Sequence, residues 1–519
     1  MAMAMRGTEH AHRKFNTKQA SFWVGLALGG LLSSSSCFAQ KSPLTGLALP
    51  GMGAGAMAVP TQELAPGQSF LGAGLRGTAL YSDNLNLNQN NKTSGGLIEA
   101  APWVAYQNVT TRGRVDLQGM LRLQSTEGSG LRLRSDLSAR SDLEVLPSGL
   151  RVSARAVTRT INPDPFGSSS TDPAAQRSNI GTLKVFEVSP YAVGDLAGDG
   201  GWTLRYRLRH IDLGDAASRA VLGSNVSQQF LGSLRTDLSQ RRYAASIDSQ
   251  ARQVGYQNAR DVGNESLDVQ AWMRASTSLR LGAGLGWAHH DLLKNAAGES
   301  SGIGPIASID WQPTARTSLT GRWASRFYGD QISAEIEHWH THWRLGMAYR
   351  KGVTDGNSAS LGTHFLDSPR DLPPPDTDLE FSGVLASPVV YREHLRINAQ
   401  LQGARTQIRL SAFLNERTSA TPLAAGLAAD LSQTGLILQG RYQLDGIHTL
   451  SLVARHVVTE SSSLASQSKL SSLIGAWNVR LSPLWGLTAG TRLQQQSGQG
   501  TVAEFDEVAV FLATDYRFR

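Results

Sequence analysis

Arg316-Thr317-Ser318-Leu319-Thr320-Gly321-Arg322-Trp323-Ala324-Ser325-Arg326-Phe327-Tyr328 changes character from each residue to the next. Thr317, Leu319, Gly321, Trp323, Ser325 and Phe327 share one parity. Arg316, Ser318, Thr320, Arg322, Ala324, Arg326 and Tyr328 share the other. Strand side chains point alternately to opposite faces, so one face here is largely apolar and the other carries three guanidinium groups. Just upstream, Ile309 and Trp311 lead into Gln312-Pro313-Thr314-Ala315, a polar breaker that predicts a tight turn between two strands. An apolar face with aromatic edges, set against an arginine face, predicts lipid on one side and water on the other. Leu319, Trp323 and Phe327 are then expected against lipid, and Arg316, Arg322 and Arg326 inside.

The same alternation recurs along the chain. Leu131, Leu133, Leu137 and Ala139 interleave with Arg132, Arg134, Asp136 and Arg140. Leu204, Tyr206 and Leu208 interleave with Arg205, Arg207 and Arg209. Leu279, Leu281, Ala283, Leu285 and Trp287 interleave with Arg280, Gly282, Gly284 and Gly286. Any half-buried strand alternates in this way, but the number and monotony of such segments predict membrane-crossing strands.

The connections assign sides. Short ones fall at Thr110–Gly113, Leu146–Gly149, Ala275–Ser278, Gln312–Ala315, His338–His342 and Leu444–Gly446. Between them lie longer polar segments, among them Asp83–Ser94, Thr160–Asn179, Lys351–Ala386, Glu416–Ala429, Glu460–Lys469 and Gln494–Thr501. Short periplasmic turns and longer outer loops are the habit of outer-membrane barrels, and the count comes to about 22 strands with both termini in the periplasm. The expected fold is therefore all-β, a transmembrane antiparallel barrel over residues 69–519. Lys351–Ala386 contains Pro373-Pro374-Pro375, which cannot join a ladder, so it is a loop that folds inward as a constriction, caps the mouth, or is a disordered outer loop.

The start of the chain fits this compartment. Arg6, Arg13, Lys14 and Lys18 precede the apolar run Phe22–Leu32, and Cys37-Phe38-Ala39 ends it, which predicts a signal peptide over 1–39 cleaved after Ala39. Cys37 also permits a lipoprotein reading, although Ser34-Ser35-Ser36 supplies no leucine before it. Cleavage after Ala39 removes the one cysteine, so disulfide and thiol chemistry are excluded. Residues 40–68, rich in glycine and proline, read as a flexible periplasmic segment too short for a plug domain. The lumen is then expected to be open, or narrowed by outer loops.

The formal net charge is +7, from 49 basic and 42 acidic residues, and most of the basic ones are arginines. Arginine suits planar, multi-donor contacts to carboxylate, phosphate and sugar oxygens, and a secreted chain argues against nucleic-acid binding.

Several segments resemble the outer-membrane β-barrel proteins associated with the PEP-CTERM/exosortase system of exopolysaccharide-producing bacteria. Tyr81-Ser82-Asp83-Asn84-Leu85-Asn86-Leu87, Val188-Ser189-Pro190-Tyr191, Trp311–Leu319 with Arg326-Phe327-Tyr328-Gly329, and Leu401–Arg405 with Phe413-Leu414-Asn415 carry the resemblance. It runs from about Phe70 to the C-terminus and rests on turns and strand ends. It implies a part in polysaccharide export, with outer-membrane lipid, the barrel assembly machinery, export-system proteins and an anionic exopolysaccharide as partners. It implies no cofactor and no enzymatic activity. Such barrels usually end in an aromatic residue, whereas here Arg519 follows Phe518.

The lumen arginines are the candidate site: Arg132, Arg134, Arg205, Arg207, Arg209, Arg280, Arg316, Arg322 and Arg326. In a wet lumen, rows of guanidinium groups attract anions; their alternative employment is pairing with acids such as Asp116, Asp136 and Asp237. Three other motifs have readings of their own. His338, His340 and His342 have a metal-ligand look, but the apolar parity flips between Ile336 and Trp339, which predicts a hairpin instead. Gly298-Glu299-Ser300-Ser301-Gly302 matches a nucleophile elbow, which requires a helix after the serine; a hydrolase using Ser300 and His290 is the alternative function, and a scaffold without conductance a third. Asp83, Asn84, Asn86, Asn88, Asn90 and Asn91 form an oxygen-rich loop that reads as turn chemistry before calcium or sugar binding.

Overall fold

The computed structural model describes residues 64–518, apart from 127–128, 148, 163, 171–178, 197–199, 214–222, 237–240, 357–386 and 422–427. The strands are β1 Ser69–Ser82, β2 Gly95–Thr110, β3 Gly113–Thr126, β4 Ser129–Leu146, β5 Leu150–Ile161, β6 Gly181–Asp195 and β7 Gly200–Leu213. Then come β8 Asn225–Thr236, β9 Tyr243–Tyr256, β10 Val262–Arg274, β11 Leu279–His290, β12 Ser301–Thr314, β13 Thr317–Arg326, β14 Gly329–Trp339 and β15 Trp343–Asp355. The last are β16 Val389–Gln402, β17 Thr406–Ser419, β18 Asp430–Gln443, β19 His448–Ser461, β20 Ser466–Arg480, β21 Trp485–Gln499 and β22 Phe505–Arg517. Each pairs antiparallel with the next, and β22 returns to β1, from Gly74 opposite Arg517 to Ser82 opposite Ala509. Inside that seam Arg76 meets Asp515 at 3.0 Å, and the Trp103 indole donates to the same carboxylate at 3.3 Å.

The outward parity is apolar and uncovered. Leu71, Leu131 and Ile303 are 72%, 70% and 72% exposed, values that suit a face turned to hydrocarbon and not to water. Exposed Tyr243, Tyr442, Trp477, Trp485 and Tyr516 ring the end with tight turns; Tyr81, Trp287 and Tyr391 stand at the end with long loops. Tight connections at 111–112, 315–316 and 444–447 alternate with long ones at 83–94, 162–180 and 356–388. The chain is a 22-stranded antiparallel β-barrel of the Gram-negative outer membrane.

The strands run further than the alternation predicts. β17 reaches Ser419, β19 Ser461 and β21 Gln499, so the outer connections shrink to 420–429, 462–465 and 500–504. A tilted strand crosses hydrocarbon in roughly 9–11 residues. β19 has 14 residues, and its ladder continues through Thr459, Glu460 and Ser461, where both faces are polar and alternation disappears.

The opening stretch shows the reverse error. β13 has only 10 residues, and the parity pattern overruns it at both ends. β12 continues through Thr314, and the turn is 315–316, not Gln312–Ala315. Between the pairs Trp311–Leu319 and Thr314–Thr317 the register shifts, a bulge that accommodates Pro313, which has no N–H for the ladder. Arg316 is exposed in that turn and is not on the lumen wall. Phe327 stands in the 327–328 turn, edge-on to Tyr328 at 4.8 Å and packed on the cluster of Val254, Tyr256, Val262 and Val389, away from lipid.

Candidate functional site

Eight of the nine predicted arginines are on the inward parity of their strands; Arg316 is the one that is not. Their partners differ from the expected ones. Asp116 goes to Arg114 at 2.7 Å and Asp136 to Arg122 at 3.0 Å, while Asp237 lies outside the described residues. Arg207 and Arg209 share Glu187 at 3.4 and 2.6 Å, and Arg280 reaches Asp310 at 3.6 Å. Arg205 stacks over the Tyr191 ring at 4.4 Å, and that tyrosine donates to Asp142 at 3.0 Å. Arg132 stands exposed on β4, while Arg134 is half-buried opposite Arg122. Neighbouring Arg122 also meets Glu99 at 3.0 Å, and Gln124 donates to Glu99 at 2.7 Å.

Arg322 and Arg326 both clasp Asp268, although β13 and β10 are separated by two strands. The inward parities of those strands explain the reach. Gly282, Gly284 and Gly286 on β11 leave a bare track beside Gly302 and Gly304 on β12. The Trp272 ring lies over Gly282, where a Cβ would stand 3.0 Å from it. Ser308 donates to Gln270 at 2.7 Å across the same strand, and the Arg326–Asp268 pair, 2.8 Å apart, crosses Gly286.

The lumen is pinched. Twenty-two strands about 4.8 Å apart and tilted by about 40° would close a circle roughly 44 Å across, and would leave β9 and β15 roughly 30 Å apart. Yet Arg252 on β9 forms an ion pair with Asp355 on β15, and the Tyr256 hydroxyl donates to the Pro388 carbonyl at 3.0 Å. Between the two walls is a cavity of about 380 Å³. Arg207 and Arg209 (β7), Arg252 (β9), Arg322 (β13), Arg350 (β15) and Arg392 and His394 (β16) line it, with Gln229, Gln250, Gln331 and Ser333. No Asp or Glu is among these described lining residues; Glu187, Asp268 and Asp355 stand behind the guanidinium groups. The chamber is thus cationic, walled by planar donors and neutral amides. It can accept carboxylate, phosphate or sulfate oxygens by forked hydrogen bonds.

Arg252, Arg350 and Arg392 stand near the outer ends of their strands, apart from the runs of alternating arginine that a reading of the sequence by blocks picks out. Strict parity would have found Arg350, five places before the outer end of β15 and out of phase with Tyr349.

The outer mouth is strapped. The described part of the β5–β6 connection, residues 164–170, docks on β21 and the 500–504 loop. Ala503 N donates to the Phe166 carbonyl at 2.9 Å, Gln496 Nε2 donates to Gly167 O at 3.0 Å, and Gln494 Nε2 reaches Ser170 Oγ at 3.4 Å. Phe166, 3% exposed, packs with Val390 and Leu431 against Ala428, Leu464 and Val502. The strap seats on a buried anchor, since Gln494 also donates to Glu507, whose carboxylate accepts from Arg492 at 2.8 Å and Ser82 at 2.7 Å. The longer Lys351–Ala386 segment, expected to constrict the mouth, cap it or form a disordered outer loop, begins as strand to Asp355, and residues 357–386 lie outside the described residues.

The other motifs resolve locally. His338 ends near the base of β14, with His340 and His342 in the 340–342 turn. The His338 Nδ1 is 2.8 Å from Thr317 Oγ1, and the rings of His338 and His340 lean on Trp343 at 4.8 and 6.0 Å. Among the described residues, no three His, Cys, Asp or Glu side chains are placed to hold a metal. Ser300 ends the 291–300 loop and is followed by strand β12, so the helix that a nucleophile elbow needs does not follow. In the asparagine loop, Asn84 and Asn88 accept backbone N–H bonds from Asn88 at 3.2 Å and from Asn90 at 2.9 Å, the turn chemistry expected of them.

No protein-family model and no curated protein matches the chain. Among solved structures it is similar to the ferric-catecholate import receptor Fiu from E. coli K12, at 9% identity over 86% of this chain and 81% of that one, with a TM-score of 0.46. It is similar also to the siderophore receptor PirA from Acinetobacter baumannii, at 9% identity, 86% and 80% coverage and a TM-score of 0.45. The FrpB iron transporter from Neisseria meningitidis stands at 10% identity, 86% and 82% coverage and a TM-score of 0.44. The likeness is one of barrels and says nothing further about this chain.

Proposed function

We propose that the barrel is a passive conduit for an anionic exopolysaccharide across the outer membrane, working with an export system of the PEP-CTERM/exosortase type. The cationic chamber carries this reading: six arginines from five strands face one cavity, with no carboxylate among its described lining residues. Guanidinium groups at a narrow point lower the energy of a uronate or phosphate in transit. The neutral amides of Gln229, Gln250 and Gln331 suit sugar hydroxyls. The pairing acids behind the chamber keep it from binding a polyanion too tightly to release it. Resemblance to barrels linked to polysaccharide export, on the turn and strand-end motifs, supports the choice of polymer.

Planar-bilayer recording of the refolded barrel tests it. A potassium chloride gradient is expected to give an anion-selective reversal potential, and polyuronate added to one side is expected to block the current. Arg207→Ala with Arg350→Ala and Arg392→Ala is expected to abolish both effects. Cation selectivity in the unaltered barrel, or block that survives the triple substitution, would refute the proposal.

A further inference from the structure

One wall of the lumen carries arginines and no acid. Arg392 and His394 line the chamber and so fix the inward parity of β16, which the ladder passes on to β17–β20. The acids of these five strands, Glu393, Glu416, Asp430 and Glu460, all have the outward parity. Elsewhere an arginine at the periplasmic end of the lumen has a carboxylate beside it. Arg114 meets Asp116 at 2.7 Å, Arg235 meets Asp248 at 3.3 Å and Arg344 meets Glu337 at 2.7 Å.

From the chamber the inward face of β16 descends through Arg396, Asn398 and Gln400 to Gln402 at its periplasmic end. Across the ladder Gln400 faces Arg409, Arg409 faces Gln439, and Gln407 faces Arg441. Arg392, Arg396, Arg409 and Arg441 therefore step down the wall with about 13, 14 and 8 Å between their Cα positions. Arg392 and His394 are buried, Arg396 and Gln400 half-buried, and Gln402 and Arg441 exposed, so the wall opens toward the periplasm. Two buried amides on it each have an atom with no hydrogen-bond partner among the described residues. Gln439, 4% exposed, has none for its Oε1; Asn415, 1% exposed, has none for its Nδ2, although its Oδ1 accepts from Arg392 at 3.1 Å. Such atoms cost stability unless something outside the wall meets them.

We infer that the inward face of β16–β18 is the track by which an acidic polysaccharide is led from the periplasm to the chamber. Its carboxylates pass from Arg441 to Arg409 and Arg396, and its hydroxyls meet Gln439 and Asn415. The inference rests on the anionic-polymer reading of the chamber. At Arg114, Arg235 and Arg344 a neighbouring carboxylate repels a polyanion where the guanidinium attracts it; on β16–β18 no strand acid does so. Amides set between the cations suit a chain whose charges are separated by hydroxylated sugars.

The test is block of the refolded barrel by polyuronate in single-channel recording, with heat-modifiable gel mobility to report that each variant is folded. Arg396→Ala with Arg409→Ala and Arg441→Ala is expected to raise the half-blocking concentration about tenfold and to leave the chamber's anion selectivity in place. The same three positions changed to glutamine serve should the alanine variant fail to fold. Arg114→Ala with Arg235→Ala and Arg344→Ala removes the same charge from the acid-bearing wall and is expected to shift block by less than about twofold. Gln439→Leu is expected to fold as firmly as the unaltered barrel and still weaken block, which a merely structural glutamine would not do. Block unchanged by the first triple substitution, or weakened equally by both, overturns the track while the polymer reading stands. An unaltered barrel that polyuronate does not block overturns both, and block unchanged by Gln439→Leu overturns the hydroxyl contact.

Discussion

Replacing Phe166 by alanine should open the outer mouth. Its ring is 3% exposed in a pocket of five aliphatic neighbours, and full burial of such a side chain is worth about 1.5–3 kcal/mol. The strap's remaining attachments are the bonds to Ala503, Gln496 and Gln494, each worth about 0.5–1.5 kcal/mol net, against the entropy of ordering the segment. The closed state is therefore marginal, and loss of about 2 kcal/mol shifts its ratio to the open state roughly thirtyfold. Single-channel recording is expected to show longer and more frequent open intervals in Phe166→Ala, and still more in Phe166→Asp, where a charge opposes redocking. Open probability unchanged by both Phe166→Ala and Phe166→Asp would refute the assignment of this loop as the closure.

Arg252→Ala leaves Asp355 without its cross-lumen partner, so the pinch should relax and conductance rise, read by the same recording. Glu507→Gln strips Arg492, 2% exposed, of its counter-charge and should cost about 3–5 kcal/mol, measured as a lower urea midpoint in refolding. Gly286→Val would place a side chain against Asp268 and Arg326, and is expected to break their bridge and weaken protection of β10–β13 in hydrogen exchange. The amides of His448 and Ile447 hold the Asp445 carboxyl below the usual carboxylate range. Its contribution to the 444–447 turn is therefore complete above a pH of about 4 and lost as pH falls through that lowered value. Asp445→Asn should remove this pH dependence of amide exchange in the turn.

The alternation of Leu204 to Arg209 and of Thr317 to Arg326 was enough to read barrel, sidedness and which face is wet, because period two is a property of each strand alone. It overran at Arg316 and Phe327, where composition continues and the ladder does not. It stopped short on β17, β19 and β21, where the ladder outlasts the membrane. The glycines of β11 were visible as a pattern, but their use as a track for Trp272 and the Arg326–Asp268 pair depends on curvature, which pairing order does not encode. The chamber was half legible for the same reason. Arg207, Arg209 and Arg322 announce themselves by parity, yet their convergence with Arg252, Arg350 and Arg392 arises from a pinch between strands distant in the chain. Phe166, in a polar connection, gave no sign of an anchor.

The seam between β1 and β22 bears on how the protein is made. Every other ladder joins strands adjacent in the chain, so each can form as a hairpin the moment its second strand arrives. Arg76 and Asp515 are separated by 439 positions, and their pairing must await the arrival of β22. Until then both β1 and β22 present open edges that hydrocarbon does not tolerate. The order of synthesis and the order of closure coincide, and the Arg76–Asp515 contact, with the Trp103 indole on the same carboxylate, is the final stitch. A chain truncated before Phe505 would keep every ladder that does not involve β22 and still present the open edges of β1 and β21 to hydrocarbon.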